Sequence, residues 1–176
     1  LYVILVFGLT KPLLAELGTG PGLGIGGGSL SPVNDTNGIE YHSSSVYATS
    51  FDYQWTLSKR FSSSLILQET GGEGAIPSKP EYQFYKSGIV GLQLKFWMGP
   101  LFIGLHGGQY YLTWIESMSA YSGIQQAGGI GYSIGFETNS GWFLAAFSDQ
   151  SETFSFDKMP DQRVEGNWGL LGYRWK

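Results

Sequence analysis

The chain has 176 residues, of which 14% are charged and 16% aromatic, with 27 glycines, no cysteine and a formal net charge of −4. That length is ordinarily one domain; without cysteine the chain is neither a disulfide scaffold nor a thiolate metal protein, and an acidic balance with no basic run argues against nucleic acid as a partner. No stretch of roughly 18 apolar residues occurs, so no transmembrane helix is indicated, although strands closed into a barrel can cross a membrane without one.

Residues 1–15 begin with the continuously apolar LYVILVFGL and reach a small residue at Ala15. This reads as a partial signal peptide with cleavage after Ala15, leaving residues 16–176 as the folded domain. Residues 17–30, LGTGPGLGIGGGSL, are rich in glycine, but neither a Lys-Ser/Thr pair nor a helical pattern follows, so the phosphate-binding motifs fail. Glycine on the inward face of a narrow curved sheet is the simpler account. Residues 31–44 carry Pro32, Asn34-Asp35 and Asn37-Gly38 and read as a loop.

Residues 46–57, VYATSFDYQWTL, hold the clearest strand signal. Tyr47, Thr49, Phe51, Tyr53, Trp55 and Leu57 share one face, while Ala48, Ser50, Asp52, Gln54 and Thr56 share the other. A turn at residues 58–60 leads into residues 61–69, where Phe61, Ser63, Leu65 and Leu67 are in phase. After an irregular stretch over 70–83, residues 84–98 alternate Val90, Leu92, Leu94 and Phe96 with Gly91, Gln93 and Lys95. Gly99-Pro100 turns the chain into residues 101–114, where Leu101, Ile103 and Leu105 oppose Gly104, His106 and Gly108. A loop over 115–122 precedes residues 123–138, in which Ile130, Tyr132, Ile134 and Phe136 alternate with Gly129, Gly131, Ser133, Gly135 and Glu137. Asn139-Ser140-Gly141 is a hairpin turn into residues 142–148, whose alternation Phe143 and Phe147 blur. The last loop spans 149–162, and residues 163–175 close the chain with Leu171, Tyr173 and Trp175 in one phase.

Eight strands are thus expected, joined alternately by long connections and by turns of about two to four residues. With no helical pattern between them they pair antiparallel in sequence order, and eight such strands can close into a ring without edges. The interior of so small a barrel accepts only modest side chains, which the Gly/Ser phase supplies and the aromatic phase would overfill. A water-facing wall of Gly and Ser almost without Lys or Glu would also be unusual. The bulky face therefore points to lipid and the small, polar face to the lumen. Aromatics near the strand ends fit membrane-interface belts, and Tyr47, Tyr53, Trp55, Phe61, Phe96, Trp114, Phe136, Trp142, Tyr173 and Trp175 are assigned to them. Phe84, Phe102 and Tyr111 are grouped with these belts.

On these features, and on the ending Leu171-x-Tyr173-x-Trp175, the chain after residue 16 resembles the small eight-stranded outer-membrane proteins, among them the OmpA transmembrane domain, OmpX and OmpW. The resemblance implies an all-β, eight-stranded antiparallel up-and-down transmembrane β-barrel in a Gram-negative outer membrane. Short turns and both termini would be periplasmic, and long loops extracellular. It also implies a monomer surrounded by outer-membrane lipids and lipopolysaccharide, with a C-terminal strand read by the barrel-assembly machinery.

Some barrels of this size act on lipid A, so catalytic residues need weighing. Glu40, His42 and Ser44 would share a face of an extended segment, supplying acid, base and nucleophile types. The lipid A deacylase family carries His-x-Ser-Asn, whereas here Ser45 stands in place of the Asn and the acid is on the wrong side. A polar loop end is the simpler reading of the three. The inward phase offers more: Asp52, Lys95, Glu137 and Arg174 are expected to pair in a lumen charge network, with His106 as a hydrogen-bonded lumen residue. No cofactor and no metal site are expected. The function expected is a non-enzymatic structural or surface-interacting role, with a lipid A-modifying enzyme or a porin-like narrow channel for small solutes as alternatives.

Overall fold

The computed structural model describes residues 18–34, 41, 46–80, 82–116, 123–157 and 159–175. The segment expected to be a signal peptide lies outside these residues. Eight strands are present: β1 Gly20–Asn34, β2 Val46–Thr56, β3 Phe61–Glu73, β4 Tyr82–Met98, β5 Leu101–Glu116, β6 Gln125–Glu137, β7 Trp142–Ser151 and β8 Gln162–Arg174. They form a closed barrel in sequence order, every neighbour antiparallel, with β8 returning to β1. Alternation and short turns dictate this result, because antiparallel neighbours can be joined by a few residues and a ring leaves no strand edge unpaired.

The register fixes the shape. Followed from strand to strand, Pro21, Tyr53, Leu65, Leu92, Gly107, Ile130, Gln150 and Glu165 are successive partners, and Glu165 pairs with Ser31. One circuit thus returns to β1 ten residues beyond its start. Such a stagger tilts the strands by roughly 40° and leaves an interior just wide enough for side chains.

Several strands run further than side-chain polarity suggested. β1 continues to Asn34, β3 to Glu73, β5 to Glu116 and β7 to Ser151, each into a segment expected to be loop. The physical reason is that a ladder is made by backbone groups. β3 and β4 remain paired as far as Glu73 and Phe84, and β4 and β5 as far as Tyr82 and Glu116, where the side chains no longer alternate.

The outer wall carries Phe51, Leu65, Leu92, Ile103, Ile134 and Leu171, all exposed. The lumen is filled by the small and polar phase, including Ser50, Ser62, Ser64, Gln93 and Ser133. Two aromatic assignments are corrected. Trp114 is 0% exposed and Phe102 2% exposed, so both belong to the lumen. Each follows the inward parity of β5, in phase with His106 and Tyr110; proximity to a strand end had outweighed parity in the sequence reading. Phe143 and Phe147 likewise point inward and are buried, and the alternation of β7 is intact.

Candidate functional site

The lumen has two polar layers. In the layer nearer the short turns, the Arg174 guanidinium lies 2.8 Å from Asp52 and 3.2 Å from Glu137, and donates to the Gly20 carbonyl at 3.0 Å. Lys95 approaches Asp52 at 3.7 Å and donates to Gln54 at 3.0 Å, while the Gln54 amide donates to the Gly18 carbonyl. Four strands supply these charges, so closing the barrel is what assembles them. The two cations also lie against rings, Lys95 over Phe102 and Arg174 over Phe143. Two acids against two bases leave no net charge, the arrangement a low-dielectric interior demands.

His106 lies apart from this network. Its Nε2 is 2.7 Å from Asp149, whose carboxylate also accepts from the Tyr110 hydroxyl and the Trp168 indole N–H. Phe147 stacks on Trp168 at 4.3 Å and meets the His106 ring edge-on. Between the layers Gln93 donates to Ser133 at 2.8 Å, and Ile66, Phe147 and Leu170 fill the remaining space. A void of about 20 Å³ remains beside the charge network and one of about 10 Å³ beside Asp149 and Tyr110, at most enough for single waters.

Above the second layer the lumen ends in an apolar cap. Trp114 packs against Tyr41 and Tyr85 and donates its indole N–H to Gln162 at 2.9 Å. Ile76 and Phe154, from the segments after β3 and β7, are buried in the same cluster.

The sequence reading missed Asp149, Tyr110 and Trp168. Asp149 opens the polar stretch expected to be a loop, yet in β7 it continues the inward parity of Phe143, Ala145 and Phe147, which is the signal the sequence offers for it. Glu40, His42 and Ser44 lie outside the described residues.

On the outer wall the remaining aromatics fall near the strand ends. Phe61 and Phe96 pair across β3 and β4 at 5.2 Å, Tyr53 packs on Trp55, and Trp142, Tyr173 and Trp175 form an edge-on series. Phe136 is exposed on the same side of the barrel. Towards the long loops, Tyr47 donates to Glu69 at 3.1 Å, joined there by Tyr111 at 3.2 Å and by Lys86 at 3.3 Å. Tyr47 stands eight residues from Trp55 on β2, about 26 Å along a strand and near 20 Å across a membrane after tilt. The exposed apolar belt between them has the height of a membrane-spanning barrel.

No family model and no curated protein matches the sequence. Solved structures do match. The Neisserial surface protein A aligns at a TM-score of 0.57 with 10% identity, covering 89% of this chain and 98% of the other. Ail, the attachment invasion locus protein of Yersinia pestis, aligns at 0.55 with 15% identity over 90% of this chain and 100% of its own. At such identity the likeness concerns the fold. Taken with the apolar belt outside and the charged groups inside, it makes the chain an integral eight-stranded β-barrel of the small outer-membrane type.

Proposed function

We propose that the protein is a non-enzymatic outer-membrane barrel that does not conduct, and that its working surface is the set of long loops at the extracellular end. The observation carrying this reading is the filled lumen: a neutral charge network, the Asp149 cluster and an aromatic cap follow one another along the axis. Burying charges in paired layers costs desolvation that an open channel would avoid, and the barrel then serves as a rigid frame for its loops. The short turns face the periplasm, and β8, with Trp175 just beyond it, is the segment offered to the barrel-assembly machinery. Planar-bilayer recording tests the closed lumen. Wild-type protein should give no steady channels, and large steady conductance would overturn the reading.

The chemistry of the loops narrows the partner. Between the strands they carry Asp35, Glu40, Glu81, Glu152, Asp157 and Asp161 against Lys79 and Lys158. An acidic rim attracts basic surfaces and repels polyanions. Ail has been crystallised with the heparin analogue sucrose octasulfate; the loops of this chain are suited to the opposite charge. Barrels in nanodiscs should bind a lysine-rich peptide in a salt-dependent way and show no binding to sucrose octasulfate. Preference for the sulfated sugar would overturn the assignment.

A further inference from the structure

The outer wall has a second distinctive surface, a shallow groove across β5 to β8 with a volume of about 520 Å³. Its floor is backbone, at Gly131, Asp149 and Gly166, and its two sides differ in chemistry. On one side stand Leu105, Ile130 and Tyr132, at 63%, 67% and 64% exposure among the barest large apolar side chains of the described wall. On the other stand Gln150, Asn167 and Glu165. The register makes this a grid: Leu105, Tyr132, Ser148 and Asn167 are partners along one rung, and Ile130, Gln150 and Glu165 along the next.

The height of the groove identifies the medium. Ser148 and Gln150 lie six and eight residues beyond Trp142 on β7, about 15 to 20 Å above the aromatic ring at the short-turn end once tilt is allowed for. The apolar side therefore faces acyl chains and the polar side meets the headgroups of the leaflet next to the long loops. Among the described residues no side-chain hydrogen bond engages Gln150 or Asn167. Each amide offers donors and an acceptor at a boundary where water is scarce. Glu165 is held at 2.9 Å by Arg163, and the described residues lining the groove include no Lys or Arg.

We propose that this groove holds one outer-leaflet glycolipid, its sugar hydroxyls and amides bonded by Gln150, Asn167 and Glu165 and an acyl chain lying along Tyr132 and Leu105. Two neutral amides, a carboxylate already paired with Arg163 and an exposed aromatic face suit a hydroxyl-rich ring, whereas the lining residues offer no cation to a phosphate. A second copy of the chain is a poorer occupant, because a two-fold contact would set one concave surface against another and leave a void. The assignment rests on the membrane reading and on the long loops facing outward.

Native mass spectrometry of the refolded barrel tests it, with a dephosphorylated acylated glucosamine disaccharide and a chain-matched phosphatidylglycerol as probes. Wild type should retain the glycolipid in preference to the phospholipid. The variant Gln150→Ala/Asn167→Ala should retain it about ten-fold less, and Gln109→Ala, an outward amide of β5 outside the groove, should behave as wild type. Equal retention by wild type and the double variant would overturn the proposal, as would preference for the phospholipid or a wild-type dimer that the double variant abolishes. Heat-modifiable gel migration confirms that each variant folds. Failure of wild type to insert into vesicles would remove the membrane reading itself, whereas insertion without retention would remove only the glycolipid site.

Discussion

Arg174 is 1% exposed and holds two carboxylates at once, Asp52 and Glu137. Replacing it by Met keeps the volume and removes the charge, leaving two buried acids to share Lys95. The expected loss is about 3 to 5 kcal/mol in urea refolding, most of it restored when Glu137→Gln is added, which leaves Asp52 paired with Lys95. A variant as stable as wild type would show that the pairs contribute nothing to folding. His106 and Asp149 illustrate the same rule with a different partner set. The carboxylate is satisfied by three donors from two other strands, β5 and β8, rather than by a guanidinium. Sequence alone made His106 a lumen residue but named no partner, because its partner lies 43 positions away.

Among the elements, the hairpin between β6 and β7 is held by a left-handed glycine packed against β8. Gly141 has φ of +96°, its N–H bonds to Thr138, and its carbonyl accepts from the Arg174 N–H. A Cβ there would lie 2.2 Å from the Arg174 carbonyl oxygen. Gly141→Ala therefore strains the turn and separates it from β8, at an expected cost of about 1 to 3 kcal/mol. Slower refolding and a lower temperature of heat modification should report it, whereas unchanged values would show that the turn relaxes freely. The turn was legible in Asn139-Ser140-Gly141, and so were the existence and order of all eight strands. The strand ends near the long loops were not legible, because backbone pairing continues where side-chain alternation has stopped.

For the whole molecule, the decisive property is which face meets lipid. Phe51 lies midway between Tyr47 and Trp55 on the outer wall, so Phe51→Arg puts a charge near the centre of the apolar belt, at an expected cost of about 2 to 4 kcal/mol. Asp52→Asn, one residue on and facing the lumen, should leave membrane insertion intact, the loss of the partner shared by Arg174 and Lys95 appearing as lower stability instead. Insertion into vesicles, followed by heat-modifiable migration, compares the two. Equal tolerance of both changes would reverse the facing of the wall.

The sequence by itself determined the class of fold. Alternation along residues 46–57, the Gly/Ser phase too small for any other interior, and the regular exchange of short turns and long loops leave few structures but a membrane barrel. It also assigned Asp52, Lys95, Glu137 and Arg174 a common inward parity, since parity along a strand is a local property. Tertiary structure decided what those charges meet. A stagger of ten residues around the ring sets Arg174 beside Asp52 and Glu137, sends His106 to Asp149, and draws Trp114 into a cap with Tyr41 and Tyr85. Register depends on how eight strands close together, and no single strand encodes it.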